Sequence, residues 1–86
     1  MMINVEIQWA VQIILLLSIK KEAMTLKELS LGIYIPERML NVIVYQLYKA
    51  GILKILQSKG TRYQLREDAA HITMNDILCA VNDMEG

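Results

Sequence analysis

Six residues spaced along "ERMLNVIVYQLYK" carry the groups best able to do chemistry in this chain: Glu37, Arg38, Asn41, Tyr45, Tyr48 and Lys49. At roughly 100° per residue they share one side of a helix. Leu40, Ile43, Leu47 and Ala50 share the other, with Met39 alongside. An amide, two phenol rings and two cations on one stripe are the groups that hydrogen-bond base edges and hold phosphates. A solvated helix face uses the same residue types, so the stripe alone leaves both readings open.

A second concentration of charge follows. Between Lys54 and Arg66 the chain places Lys54, Lys59, Arg62 and Arg66 and no acid, whereas Glu67 to Gly86 holds five acids and no Lys or Arg. Such a split can orient a domain on a polyanion, although the formal net charge of the whole chain is zero.

Other chemistries find little support. Cys79 is the sole cysteine and His71 the sole histidine, so a disulfide within the chain and any multi-cysteine metal or cluster site are excluded. No nucleophile sits at a spacing that pairs it with a base, and no glycine-rich loop could cradle a phosphate. The expectation is therefore no enzyme, no metal and no cofactor. Cys79, inside the apolar pattern "ILCAV", reads as a core residue.

The elements that must position these groups fit one domain, residues 1–86. A chain of 86 residues that is 55% hydrophobic carries more apolar material than a small core requires, which points to an interface. On a first helix from about Val5 to Lys20, Ala10, Ile13, Ile14 and Leu17 form one stripe. Val11, Leu15 and Ile19 form a second on nearly the opposite side. "WAVQIILLLSI" is too short for the roughly 20 apolar residues of a membrane span, and Glu6 stands where a signal peptide would be basic. A soluble, cytoplasmic protein is expected.

Thr25 and Glu28 have capping-box spacing, Leu26 and Leu29 face a short second helix inward, and Gly32 suits a left-handed stop. Pro36 takes the first position of the third helix. Gly51 ends that helix, "ILKIL" reads as a strand and "SKGT" as a turn. "RYQLR" then alternates, with Tyr63 and Leu65 inward and Arg62, Gln64 and Arg66 outward. Thr73 and Asp76 cap a last helix that Ile77, Leu78, Ala80 and Val81 turn inward. Three helices, a hairpin and a helix make a mainly α fold with a small β-hairpin, a winged helix-turn-helix. In that fold the polar stripe enters a major groove while the hairpin touches phosphates or the minor groove.

The stretch "TLKELSLGIYIPERMLNVIVYQLYKAGILKILQSKGTRYQLREDAAHITMNDILCAV" resembles the DNA-binding domain of the Rrf-two family. These bacterial winged-helix regulators include the iron–sulphur-assembly and cysteine-metabolism repressors. The resemblance rests on Leu26, Lys27, Glu28, Leu29, Ile35, Leu40 and Leu47, on the "AG" helix exit at Ala50 and Gly51, on Tyr63 and Leu65, and on Ile72, Thr73, Asp76, Ala80 and Val81. "WAVQIILLLS" is similar to the family's first helix. The loop "SKGTRY" departs from a glycine-rich family wing, keeping Gly60 and adding Lys59 and Arg62. Gln57 replaces a common basic residue, and Asn41 stands where the family often has Glu, so base preference does not carry over. The chain ends where family members continue into a dimerisation helix and a cysteine-bearing sensor segment, so neither cluster binding nor thiol sensing is implied.

The resemblance implies a sequence-specific transcriptional regulator that occupies duplex DNA as a homodimer. The residues expected at DNA are Lys27, Arg38, Asn41, Tyr45, Lys49, Lys59 and Arg62. Those expected at the dimer interface are Val11, Leu15 and Ile19, with the closing helix around Ile77 and Val81 alongside. The rival is a protein-interaction module of the same fold that never touches DNA; the neutral net charge favours it, and the basic hairpin favours DNA.

Overall fold

Capping chemistry sets where two of the helices begin. Thr25 Oγ1 accepts from the Glu28 N–H at 3.1 Å, and Glu28 Oε1 accepts from the Thr25 N–H at 2.9 Å. Thr73 and Asp76 repeat the reciprocal pair at 3.1 and 2.9 Å. Each box satisfies two N–H groups that a helix start would otherwise leave unpaired. The structure, a computed structural model, describes residues 5–82; Asp83 and Glu85 of the acidic tail lie outside them.

The described residues form α1 (Val5–Lys20), α2 (Leu26–Gly32), α3 (Glu37–Lys49), β1 (Leu53–Gln57), β2 (Thr61–Leu65), a 3-10 turn (Ala69–His71) and α4 (Met74–Asn82). This is the winged helix-turn-helix that the sequence predicts. One core joins all the layers: Ala10, Ile13 and Leu17 of α1, Leu29 of α2, Leu40, Ile43 and Leu47 of α3, Leu53 of β1, and Ala80 and Val81 of α4 are buried together. No residue in that core is polar or charged. No described helix is long and apolar enough to cross a membrane.

The hairpin pairs antiparallel, from Leu53 opposite Leu65 to Gln57 opposite Thr61. Lys59 (φ 55°) and Gly60 (φ 95°) turn the chain in left-handed conformation, one that glycine adopts freely and lysine rarely. Met24, in the α1–α2 linker, exchanges two backbone hydrogen bonds with Tyr63 at 2.9 and 2.8 Å. The wing is therefore stitched to the helix-turn-helix unit by backbone, not only by the chain leading out of α3.

Several expectations are corrected. Gly32 is the last residue of α2 and has no left-handed φ; Ile33, extended, ends the helix. A Cβ at Gly32 would stand 2.8 Å from Leu16 Cδ2, so its bareness serves the approach of α1. Pro36 is the N-cap of α3 rather than its first helical residue. Ala50, expected on the inner stripe, caps that helix in solvent, and Val44, absent from that stripe, is buried in the core. Cys79 is exposed, because the buried side of α4 is set by Ile77, Ala80 and Val81 and position 79 projects away from it. Ile77 and Val81 are spent on the internal core and are not free to line a dimer interface. Val11 is half-buried and packs against the same core, leaving Leu15 (53% exposed) and Ile19 (74%) as the open part of the second α1 stripe.

Candidate nucleic-acid interface

Helix α3 separates its two faces sharply. Leu40, Ile43, Val44 and Leu47 are buried, while Glu37, Arg38, Asn41, Tyr45, Tyr48 and Lys49 are all exposed, as their spacing predicts. The outward centre of the helix is finer than the sequence reading made it. Positions 38, 42, 45 and 49 recur at intervals of four, three and four, which keeps them in line on an α-helix. That line is Arg38, Val42, Tyr45 and Lys49. Asn41, with Glu37 and Tyr48, lies along one flank of it.

Part of this surface is ordered by its own contacts. The Lys49 ammonium lies 5.5 Å from the centre of the Tyr45 ring, within cation–π range. The Tyr45 and Tyr48 rings stand 6.4 Å apart and tilted by 35°. Lys49 and the two phenols thus form one cluster at the C-terminal end of α3. On the buried flank, Gln46 Oε1 is out of solvent and has no hydrogen-bond partner.

The cations predicted from the hairpin divide into two kinds. Lys59 stands exposed at the wing tip and takes part in no ion pair among the described residues. Arg62 is folded inward: its Nη1 donates to Glu28 Oε1 at 2.9 Å and to the Ala23 carbonyl at 3.4 Å, and its Nε donates to the Ser58 carbonyl at 2.9 Å. The expected outward Arg62 is thus a brace between the wing and α2, since its guanidinium is already committed to three oxygens. Lys27 lies exposed on α2. Two exposed hydrophobic side chains that precede α3 in the chain went unnoticed in the sequence, Leu31 and Tyr34. Alternation could have found Tyr34, which sits between buried Ile33 and Ile35.

Glu28 serves both the helix cap and the wing brace, and its titration reports on that. The Thr25 backbone N–H chiefly lowers its carboxyl from the ordinary value; desolvation opposes this, and the Thr25 side chain and the Arg62 guanidinium add to the lowering. The folded state favours the ionised form and binds fewer protons than the unfolded state. The stabilisation is therefore complete above about pH 4.3 and is lost as pH falls through the lowered native value. In melting experiments the advantage of wild type over Glu28→Gln should be constant near neutrality and shrink below about pH 4. A gap that stays the same into the acid range would remove the charge of Glu28 from the account.

The Rrf2 family, described as "Iron-dependent Transcriptional regulator", matches residues 3–85. The chain belongs to the Rrf2 family. Comparison with curated proteins finds no significant match. Among solved structures, the fold is similar to that of T. potens IscR, with a TM-score of 0.84 at 20% identity over 94% of this chain and 61% of that one. It is also similar to that of CymR (YrzC), the global cysteine regulator of B. subtilis, with a TM-score of 0.82 at 23% identity over 93% of this chain and 64% of that one. This Rrf2 chain thus spans less than two thirds of the length of each. The family description names iron, yet among the described residues no group of three or more His, Cys, Asp or Glu side chains could hold a metal ion. With Cys79 as the one thiol, these residues do not fit an iron centre.

Proposed function

We propose that this Rrf2 chain is a sequence-specific DNA-binding transcriptional regulator, acting in the cytoplasm as a homodimer that occupies promoter DNA. The observation that carries the proposal is the outward face of α3, where Arg38, Asn41, Tyr45 and Lys49 stand exposed on a helix whose other side is locked into the core. A helix held so firmly can enter a major groove without reorganising, and its amide and guanidinium can pair with base edges. Lys49 and Lys59, with Lys27 on α2, supply the cations for phosphates. Arg62 acts indirectly, by fixing where the wing carries Lys59. Leu15 and Ile19 are the apolar surface that a second copy would cover.

The test is selection of duplexes from a random pool, followed by titration of Asn41→Ala against the enriched site and its single-base variants. Asn pairs bidentately with adenine and contributes roughly 1–3 kcal/mol of discrimination. The variant should lose preference at one position per half-site and keep its affinity for unrelated DNA. A parallel fall in both would make Asn41 a phosphate contact or a structural residue. The rival reading, docking of a partner protein, draws on Leu31 (81% exposed) and Tyr34 (102%), which lie off the α3 stripe. It predicts that no duplex is enriched.

A further inference from the structure

Val42 is the one aliphatic residue in the outward line of α3, and it sits between Arg38 one turn before and Tyr45 and Lys49 after. It is 36% exposed although every other aliphatic residue of that helix is turned toward the core. An open helix position filled by a β-branched residue gains little locally. Valine is a weaker helix former than the long straight-chain residues, and here its side chain is left partly in water. Its place gains meaning if a partner covers it. Resting on the DNA reading above, we propose that Val42 is a specificity-determining residue that packs against the C5-methyl group of a thymine in the major groove.

The chemistry is selective in a way that the neighbouring groups are not. In the major groove thymine alone among the four bases presents a methyl group, and an aliphatic side chain recognises it by excluding water. Arg38 and Lys49 flank Val42 along the helix axis and can hold the duplex, while Asn41 on the adjacent flank can address adenine. The site predicted for this chain therefore contains a thymine whose methyl, not its hydrogen-bonding edge, is read.

The experiment uses the whole protein and the duplex enriched by selection. Each thymine in turn is replaced by uracil, which deletes the methyl and leaves the pairing edge intact. Wild type should lose about fourfold in affinity at one thymine per half-site, the change that accompanies uncovering one methyl-sized group. Val42→Ala should bind the methylated duplex more weakly and be nearly indifferent to uracil at that position, while its response at all other thymines is unchanged. Val42→Thr, which keeps one methyl at the same place, should retain sensitivity. Methyl sensitivity that persists unaltered in Val42→Ala, or its absence from every thymine, would overturn the role of Val42 and leave the DNA reading standing. Failure to enrich any duplex would overturn both.

Discussion

Replacing Leu15 by Glu should convert the protein from a dimer to a monomer at micromolar concentration and weaken binding to a two-half-site duplex by about 10²-fold or more. The expectation starts from α1, which is apolar nearly all the way round although only one side of it faces the core. Ala10, Ile13 and Leu17 are buried inside, while Leu15 and Ile19 remain 53% and 74% exposed on the other side. A symmetric pair places the same patch of both copies together, so each substitution introduces a carboxylate into the contact twice. Covering these side chains stabilises association by a few kcal/mol at roughly 25 cal/mol per Å², before the entropic cost of pairing. The DNA effect is larger than the interface effect because the second half-site is engaged at high effective concentration only while the copies are joined. Sedimentation across a concentration series checks the first half, and titration of one-half-site against two-half-site duplexes the second. A dimer unaffected by Leu15→Glu would move the interface elsewhere.

Leu47→Ala should have the largest effect on stability. Leu47 is wholly buried on α3, and its backbone carbonyl also accepts the Ile52 N–H at 3.0 Å where the chain turns into β1. Truncating a leucine in such a core costs about 2–5 kcal/mol through lost burial and an unfilled cavity. Small domains have about 5–15 kcal/mol in total, so a large share of the stability would go. The urea midpoint should fall with the slope unchanged, and the melting temperature should drop by about 10 °C or more. The same truncation at Tyr45, on the exposed side of that helix, should alter stability by less than about 0.5 kcal/mol. Similar losses at both positions would contradict the two-faced reading of α3.

How much of this was legible in the sequence depends on how far apart the interacting groups lie along the chain. The two capping boxes join residues three apart, so Thr25 with Glu28 and Thr73 with Asp76 are written in local spacing, and both form. The faces of α3 follow from the helical period. The brace between Arg62 and Glu28 spans 34 positions, and no local rule connects them. Arg62 therefore reads as an outward cation when taken from strand alternation alone. Cys79 failed differently: counting "ILCAV" as apolar ignored the period that turns position 79 away from Ile77 and Val81. Val42 was accessible to the same arithmetic, but grouping the stripe by polarity hid an apolar residue in the middle of it. Gly32 has a tertiary reason, the approach of Leu16, which composition cannot express.

The measurement closest to the central claim is the salt dependence of binding to the selected duplex. If Lys27, Lys49 and Lys59 meet phosphates in each copy, a dimer neutralises roughly six of them and the slope of log K against log salt is about −5. Lys59→Ala in both copies should make that slope shallower by about two units and weaken all sequences alike. A slope near zero, or no binding to duplex DNA even at low salt, would contradict the assignment of α3 and the wing as a DNA-binding surface.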